Sequence, residues 1–324
     1  NELRMMLDTG DTPEEKVKFR PLSFSEVARE LEKDWQYRNL IGEISDKTHY
    51  EYKIRVKLLE QTFGQRLLHQ VTEDELKTFL MNEAIEHSNI TANHHLKVFR
   101  QLMQKGIELR ALKKDPTSNL RRFSEKEHER NRFLLPNEIE TLIQAASQGR
   151  AKYYLPPLVC LGVEHGASKQ ECLSLKWEDI DFDFNEKGLI RFKRTKNNRE
   201  RTELLMPRTR KVLLDWRDHL RFKRSKAKYK EEVEYVFCRI DGTPLKRFDK
   251  AFREACNRAG ITDLHFHDLR HTFCSNLILS GASLKDAKEM IGHADIGMTD
   301  RYSHLTAQHK SVIQERLHEY YQSK

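Results

Sequence analysis

The sequence contains no hydrophobic run long enough to cross a membrane. None of its apolar stretches approaches the roughly 20 consecutive residues that span a bilayer. Its first residues, from Asn1 to Arg4, do not resemble the start of a secretory signal. We therefore expect a cytoplasmic protein that makes no membrane contact.

Cysteine is scarce and scattered, with five residues in a chain of 324. The number is odd, and no two cysteines have the close spacing of a zinc clip or of a redox pair. This pattern predicts reduced, half-buried thiols of the kind found inside cells. The residues are Cys160, Cys172, Cys238, Cys256 and Cys274.

Charge is abundant in both signs, with a basic surplus. The chain has 58 Lys+Arg against 50 Asp+Glu, a formal net charge of +8. A nucleic acid is a partner that fits this surplus, although an alkaline protein without such a partner would have the same composition. The length of 324 residues favours two domains over one, and an apolar fraction of 38% is enough to build their cores.

The first part of the chain shows helical periodicity and no strand pattern. One predicted helix starts with a capping box, because Thr72 can accept a hydrogen bond from the backbone while Glu75 reaches back to it. After a polar N-terminal segment, residues 1–20, we predict an all-α core-binding bundle over residues 21–112. Its helices are expected at about 23–34, 45–63, 72–86 and 91–112.

The composition becomes charged and broken over residues 113–130, which predicts a solvated linker. Helical periodicity resumes at Leu135, where a proline is well placed in the first turn. A second domain, residues 131–324, is therefore expected to begin here. Strand-like segments at 189–192 and 202–206 predict a small three-stranded antiparallel sheet among its helices, a mixed α+β arrangement.

The residues most typical of chemistry lie in the last third of the chain. His267, Arg270 and His271 are spaced i, i+3 and i+4, so on a helix they share one face. A guanidinium suits a tetrahedral oxyanion such as phosphate, and a neighbouring imidazole can donate a hydrogen bond or move a proton. This helix therefore offers a cation and imidazoles to a single ligand.

A candidate nucleophile follows shortly downstream. A short helix is predicted over residues 283–291, because a serine and an aspartate form a capping pattern at its start and Gly292 is a natural stop. His293 comes next, and Tyr302 lies a little further on. A phenol with its usual pKa of about 10 is a poor nucleophile, so a tyrosine that attacks needs cations around it.

These motifs, in this order, resemble the catalytic core of the tyrosine recombinases, the phage integrase family. The segments 173–181 and 194–197 are similar to an upstream segment and a hairpin of the same family. The resemblance covers roughly residues 131–308, and the helical bundle before it resembles the family's core-binding domain. The residues that carry it are His267-Asp268-Leu269-Arg270-His271, Gly292-His293, Thr299, Tyr302 and His304.

The resemblance implies roles for individual residues. Tyr302 would attack the scissile phosphate, leaving a 3'-phosphotyrosine and a free 5'-hydroxyl, and Lys196 would protonate that leaving oxygen. Arg270 would bind the non-bridging oxygens, with His267 assisting proton transfer and His293 donating to the phosphate. Because a transesterification conserves the energy of the broken bond, no metal and no other cofactor is expected.

The implied function is that of a site-specific DNA recombinase, an integrase that inserts or excises a mobile element such as a phage. The implied partner is double-stranded DNA, encircled by the two domains as a clamp. The implied assembly is a homotetramer on DNA formed from monomers in solution. The implied location is the prokaryotic cytoplasm, at the nucleoid.

One position departs from the family's pattern. The family has an arginine three residues before the glutamate that aligns with Glu171, and this chain has Ser168 there. Lys169 is adjacent, but it lacks the bidentate fork of arginine and on a helix would point about 100° away. Losing one such donor costs on the order of 10² to 10³ in rate. Either Lys169 or another cation substitutes, or the activity is weak, or the chain is inactive.

Other interpretations stay open on the sequence. A type IB topoisomerase-like enzyme would use similar chemistry to relax DNA, and a catalytically impaired accessory protein of the same fold would bind DNA without cutting it. The histidines could form a zinc site, although no cysteine or carboxylate completes a familiar spacing. The basic run from Arg217 to Lys230 is either a DNA-facing patch or a solvated helix. The C-terminal apolar face, which packs on its own domain or on a neighbouring subunit, comprises Ile313, Leu317, Tyr320 and Tyr321.

Overall fold

The computed structural model of the protein describes residues 19–125, 132–193, 200–292, 314–315 and 317–322. The chain divides into two compact units, Asn1–Glu129 and Arg130–Lys324, each with its own hydrophobic core. The expected architecture, a helical bundle followed by a mixed α+β unit, is confirmed. Within these ranges no helix is both long and apolar enough to cross a membrane.

The helices of the first unit begin at serine or threonine residues that cap the first turn. The capping box predicted at Thr72 is present, because its hydroxyl accepts from the Glu75 amide at 3.3 Å while the Glu75 carboxylate accepts from the Thr72 amide at 2.9 Å. Ser23 and Glu26 form the same arrangement. The helices are α1 (Phe24–Leu40), α2 (Asp46–Phe63), α3 (Glu73–Glu86) and α4 (Asn89–Glu108).

Three helix boundaries in the first unit differ from the prediction. Helix α1 continues to Leu40, because Trp35 on its inner face is fully buried and adds another turn to the packed side. Helix α4 begins two residues early, since the Ser88 hydroxyl accepts from the Thr91 amide at 3.1 Å. It also ends earlier than expected, where Arg110 takes a left-handed conformation with φ of 63°.

Aromatic rings fill the core of the first unit. The ring centroid of Phe63 lies 5.7 Å from those of Phe24, Phe79 and Phe99. The pairs with Phe79 and Phe99 are edge-to-face, a geometry that adds to the gain from burial. The bundle is therefore held by apolar contacts that join all four of the helices named above.

Part of the stretch predicted as a solvated linker packs on the first unit. Leu120 is 8% exposed and belongs to the bundle core, and Thr117 is fully buried. The Asn93 side chain donates to the carbonyl of Phe123 and accepts from its amide, at 3.0 and 2.8 Å. These buried residues lie between charged, exposed ones, so the composition of the segment did not predict that they pack on the bundle.

The second unit begins with the predicted helix, which has Pro136 in its first turn and buries Leu142 and Ala146. Leu135 precedes it and is half exposed, so it does not belong to the buried face. The described helices of this unit are α5 (Pro136–Ala146), α6 (Leu155–His165), α7 (Lys169–Ser174), α8 (Pro207–Lys226), α9 (Asp249–Arg258), α10 (Asp268–Leu279) and α11 (Leu284–Ile291).

The predicted sheet is present, with strands β1 (Ile180–Asp181), β2 (Leu189–Phe192) and β3 (Arg201–Leu204). All pairings are antiparallel in the order β1-β2-β3. In this register Phe192 stands opposite Arg201, and both side chains are buried. The sheet thus brings an arginine into the interior beside an aromatic ring.

Helices α6 and α10 pack closely because glycines face the contact. A Cβ at Gly162 would lie 2.8 Å from a methyl carbon of Leu269. Gly166 ends α6 with φ of +57°, and a Cβ there would lie 2.6 Å from the ring of Phe273. The end of α6 is therefore held against the helix that carries Arg270.

Two surface features of the second unit can be compared with their predictions. The run from Arg217 to Lys230 is not solvated throughout, since Arg224 is 7% exposed and donates to the carbonyls of Ile240 and Glu231 at 2.5 and 2.8 Å. In the tail, residues 317–322 are helical and the side chains of the apolar face are exposed. Leu317, Tyr320 and Tyr321 are therefore not buried against their own unit; Ile313 lies outside the described residues.

Candidate active site

Helix α10 carries the predicted group of His267, Arg270 and His271. The helix starts at Asp268, so His267 is the residue before the first turn rather than part of it. The rings of His267 and His271 still lie side by side, with centroids 5.2 Å apart. His267 is exposed and Arg270 is half-buried, so the group extends from the surface into the unit.

Arg270 binds three separate parts of the chain. Its Nη1 donates to the carbonyl of Gly166 at 2.8 Å and to Glu171 Oε2 at 3.3 Å. Its Nη2 donates to the carbonyl of Ile291, the last residue of α11. Because these partners end α6, lie in α7 and end α11, the guanidinium is fixed where the three helices meet.

Glu171 is the carboxylate at the centre of this arrangement, and it is only 4% exposed. Its Oε2 accepts from the Ser168 amide at 2.7 Å as well as from Arg270. Its Oε1 accepts from Arg201 Nε at 3.1 Å. A buried charge is tolerated when it is paired and hydrogen-bonded, and both oxygens of Glu171 meet that condition.

Arg201 is a buried site residue that the sequence did not predict. It is 7% exposed, and its guanidinium carbon lies 4.1 Å from the centroid of the Phe192 ring. Besides Glu171, it binds the carbonyls of His165 and Met290, both at 2.9 Å. The sequence analysis missed it because the strand was predicted to begin at residue 202 and because an arginine is rarely buried.

A second carboxylate and a histidine complete the cluster. Glu203 contacts Arg201 Nη1 through Oε1 and accepts from His165 Nδ1 through Oε2 at 2.9 Å. The Met206 amide donates to His165 Nε2 at 3.5 Å, so Nδ1 is the ring nitrogen that donates to Glu203. His165 is 1% exposed and therefore supports the cluster from inside.

Ser168 and Lys169, the two residues at the departure from the family's pattern, both have structural partners. Ser168 caps α7, with its hydroxyl accepting from the Glu171 amide at 3.3 Å. Lys169 Nζ donates to both carboxylate oxygens of Asp249, at 2.5 and 2.6 Å. This hydrogen bond with Lys169 lowers the pKa of Asp249, so the pair is ionic.

Lys196, His293 and Tyr302 lie outside the described residues, and the structure does not test their predicted positions. Two described residues border the segments that contain Lys196 and His293. Lys193 ends the strand region before residue 194, and hydrogen bonds to Asp179 and Glu178 raise its pKa. Gly292 ends α11 in a left-handed conformation with φ of +67°.

The described part of the chain contains no group of three or more histidine, cysteine, aspartate or glutamate residues that could hold a metal ion. The zinc alternative included His293 and His304, which lie outside that part. Among the described residues of the site, Arg270 offers a guanidinium and His267 and His271 offer imidazoles. Their geometry suits an anionic ligand of tetrahedral shape.

Comparison with known proteins identifies the family. The profile of the Phage integrase family matches residues 132–309, which is more than half of the chain. This chain belongs to the phage integrase family of tyrosine recombinases. The match includes the sheet, the Glu171 and Arg270 cluster and the segment with Tyr302, so the resemblance seen in the motifs is confirmed.

Characterised relatives of this family member are bacterial recombinases. The tyrosine recombinase XerC of Lactobacillus leichmannii is 27% identical over 251 residues, covering 74% of this chain and 80% of the relative. A XerC-like tyrosine recombinase of Caldanaerobacter subterraneus is 29% identical over 217 residues, covering 57% of this chain and 55% of the relative. Both alignments extend beyond the catalytic motifs, and site-specific recombination is the activity they support.

Solved structures show the same fold at low identity. A lambda integrase dimer bound to a COC' core site superposes with a TM-score of 0.70 at 18% identity, covering 93% of this chain and 84% of that chain. The Tn1549 transposon integrase in complex with a circular intermediate DNA superposes with a TM-score of 0.68 at 16% identity, covering 91% and 99%. The helical unit is therefore part of the shared fold.

The helical unit of this recombinase family member has a basic groove of about 520 Å³. One exposed face of α4 forms its floor, with His94 and Lys97 on successive turns. The ammonium of Lys97 lies 5.3 Å from the centre of the Tyr52 ring. We call this surface the α4 groove; its cationic lining residues are Arg38, Lys97, Arg100 and Arg122. Burial and the nearby Arg55 lower the pKa of His94, which lies beside them.

Proposed function

We propose that this protein cleaves and rejoins double-stranded DNA at specific sites through a covalent bond to Tyr302. The observation that carries the proposal is the fixed guanidinium of Arg270, which is held by Glu171 and by the helix end that precedes His293. A rigid cation beside imidazoles stabilises the charge that develops on a phosphate during attack. The family's order of motifs supplies the nucleophile downstream.

The proposed reaction is a balanced exchange of phosphodiesters. Tyr302 Oη forms a bond to phosphorus while the bond to the 5' oxygen breaks, leaving a 3'-phosphotyrosine. The phenolic proton passes to the imidazole of His267, and Lys196 gives a proton to the leaving 5' oxygen. Arg270 and His293 bind the non-bridging oxygens. Attack by a 5'-hydroxyl on the phosphotyrosine reverses each step and releases the enzyme.

The proposed DNA contacts include the α4 groove. Lys97, Arg100 and Arg122 border it, and the helix they surround is amphipathic, with a buried apolar side and an exposed polar side. Cations arranged along one face bind the sugar-phosphate backbone with little dependence on sequence. The helical unit is thus proposed to hold the duplex while the second unit performs the chemistry.

The proposed biological role is integration or excision of a mobile element in a prokaryotic cytoplasm. The phage integrase family to which the chain belongs, and the lambda and Tn1549 transposon integrases that share its fold, fit this role. A lambda integrase tetramer bound to a Holliday junction, with a TM-score of 0.70, supports a tetramer on DNA as the working assembly. The exposed Leu317, Tyr320 and Tyr321 would supply part of its contacts.

The proposal is tested with a nicked half-site that traps the covalent intermediate, incubated in EDTA. The intact chain is expected to form a covalent adduct, and Tyr302→Phe is expected to form none. Tyr50→Phe is the matched control, since this exposed tyrosine of the helical unit lies outside the proposed chemistry and the proposed contacts between subunits. Equal adducts from the intact chain and Tyr302→Phe would show that the nucleophile is wrong.

Ser168 favours a second candidate function, a DNA-binding accessory protein without catalysis. In that case the half-site would be shifted in a gel, but the intact chain would form no adduct. Ser168→Arg distinguishes a weak enzyme from an inactive form. We expect the variant to gain rate by adding a guanidinium beside Glu171, and to lose about 1 kcal/mol of stability because the helix cap is removed.

Relaxation of a supercoiled plasmid without exchange between paired sites would instead indicate topoisomerase-like activity.

A further inference from the structure

We infer that Arg201 is a positioning residue for DNA cleavage, acting on Arg270 through Glu171 and on the end of α11 through a backbone carbonyl. The inference rests on the proposed function and adds a residue outside the roles that the family resemblance supplied. Arg201 is buried and does not touch the substrate itself in this scheme. Its effect is exerted through the groups that do.

The first step is the shared carboxylate. Arg201 Nε binds Oε1 of Glu171 at 3.1 Å, and Arg270 Nη1 binds Oε2 of the same group at 3.3 Å. A carboxylate held on one oxygen by a rigid guanidinium cannot rotate freely about its last bond. The orientation of Glu171, and with it the direction of Arg270, therefore depends on Arg201.

The second step is the shared helix end. Arg201 Nη1 donates to the carbonyl of Met290 at 2.9 Å, and Arg270 donates to the next carbonyl, that of Ile291. Carbonyls at a helix C-terminus lack partners within the helix and carry partial negative charge, so cations bind well there. Two arginines thus fix the last turn of α11, from which the chain continues through Gly292 to His293.

The third step is the rigidity of Arg201 itself. The guanidinium lies on the face of the Phe192 ring and binds the carbonyl of His165, so it is held from a strand and from the end of α6. A lysine cannot reproduce these directions, because it offers a single charged atom on a flexible stem. Replacing the arginine by lysine should therefore keep the charge and lose the alignment.

Stability alone does not account for this cluster. A buried ion network is often no more stable than well-packed apolar side chains of the same volume. Arg201 Nη2 is buried and has no hydrogen-bond partner within the described ranges, which adds a further cost. Position 168 is serine, and among the described residues Arg201 and Arg270 are the two arginines that bind the carboxylate of Glu171. The geometry indicates instead that the cluster serves to align Arg270.

The test compares Arg201→Lys with Arg224→Lys. Arg224 is the matched control, because it is also 7% exposed, binds two backbone carbonyls and lies 5.1 Å from the centre of an aromatic ring, that of Tyr229. Each variant is measured for its rate of adduct formation on the half-site, its half-site affinity and its melting temperature. Loss of packing should lower the melting temperature of both variants.

We expect Arg201→Lys to slow adduct formation about 100-fold, the effect of a small misplacement of a catalytic group, with unchanged half-site affinity. Arg224→Lys is expected to keep the intact rate. In the double variant, the loss of rate caused by Arg201→Lys should not add to the loss caused by Glu171→Gln, because both changes disturb the same contact with Arg270. The inference is overturned if Arg201→Lys stays within about threefold of the intact rate, or if Arg224→Lys falls equally.

A second readout separates this inference from the proposed function. The side-chain ¹⁵Nε resonance of Arg270, assigned by its loss in Arg270→Lys, reports the environment of that guanidinium without any reaction. If the intact chain forms no adduct, the proposed function fails on that result alone. A shifted Arg270 resonance in Arg201→Lys but not in Arg224→Lys would still support positioning, and an unshifted one would refute it.

Discussion

The two units of this protein place their charges in opposite ways. The first has an aromatic core around Phe63 and Phe99 and carries its arginines and lysines on the outside, four of them around the α4 groove. The second buries Glu171 and Arg201 next to Arg270. Exposed cations can bind the sugar-phosphate backbone of DNA anywhere along its length. A cation that buried partners hold in place can bind a single phosphate in one orientation.

The largest expected effect is on chemistry in the second unit. Arg270→Lys should slow adduct formation by about 10² to 10³, because a point charge cannot replace the donors that the fixed guanidinium presents. Half-site affinity should hardly change. Arg258→Lys is the control, since Arg258 binds the carbonyl of Ala145 elsewhere in the unit at 2.9 to 3.1 Å. A similar loss in both variants would contradict a specific role for Arg270.

The next effect is on stability in the first unit. Phe99→Ala should lower the free energy of unfolding of the bundle by about 3–5 kcal/mol, because it removes a fully buried ring and leaves a cavity. Urea unfolding followed by hydrogen exchange of each unit measures this loss. Ile85→Ala, at a position 80% exposed, should change it by less than about 0.5 kcal/mol. Equal losses in the two variants would show that the aromatic core is not what holds the bundle.

A smaller effect concerns acid stability. Hydrogen bonds from Arg66 and from Thr72 lower the pKa of Glu75 to about 2. The unfolded carboxyl binds protons more readily than the folded one, so this contribution to stability is complete above the ordinary pKa of 4.5 and is lost as the pH falls from there towards 2. Glu75→Gln should flatten the acid branch of the stability curve. Glu86→Gln, at the other end of α3, is expected to leave that branch unchanged.

The smallest effect is on DNA affinity through the α4 groove. Lys97→Gln should weaken binding by a similar factor on any sequence and lower the slope of log affinity against log salt by about 1. Lys33→Gln provides the comparison, because Lys33 lies on α1 in an ion pair with Glu30. Fluorescence anisotropy at several salt concentrations measures both. A slope that is unchanged in Lys97→Gln would remove this groove from the DNA contacts.

Local sequence patterns predicted the elements better than their ends. The helix over 45–63, the capping box at Thr72 and the short helix before Gly292 are confirmed, because each depends on residues within one or two turns. The end of α1 and the packing of Leu120 were not predicted, because they depend on which side chains the rest of the bundle covers. The roles of Lys196, His293 and Tyr302 remain predictions that rest on the order of the family's motifs.

The sequence by itself determined the family, the helix caps and the spacing that puts Arg270 beside His267 and His271. Only the tertiary structure decided what holds Arg270. Glu171 is 99 residues from it along the chain, and Arg201 is 30 residues from Glu171. No local pattern couples positions so far apart. Their hydrogen bonds arise only when the strand, α7 and α10 pack together and exclude water from the charges.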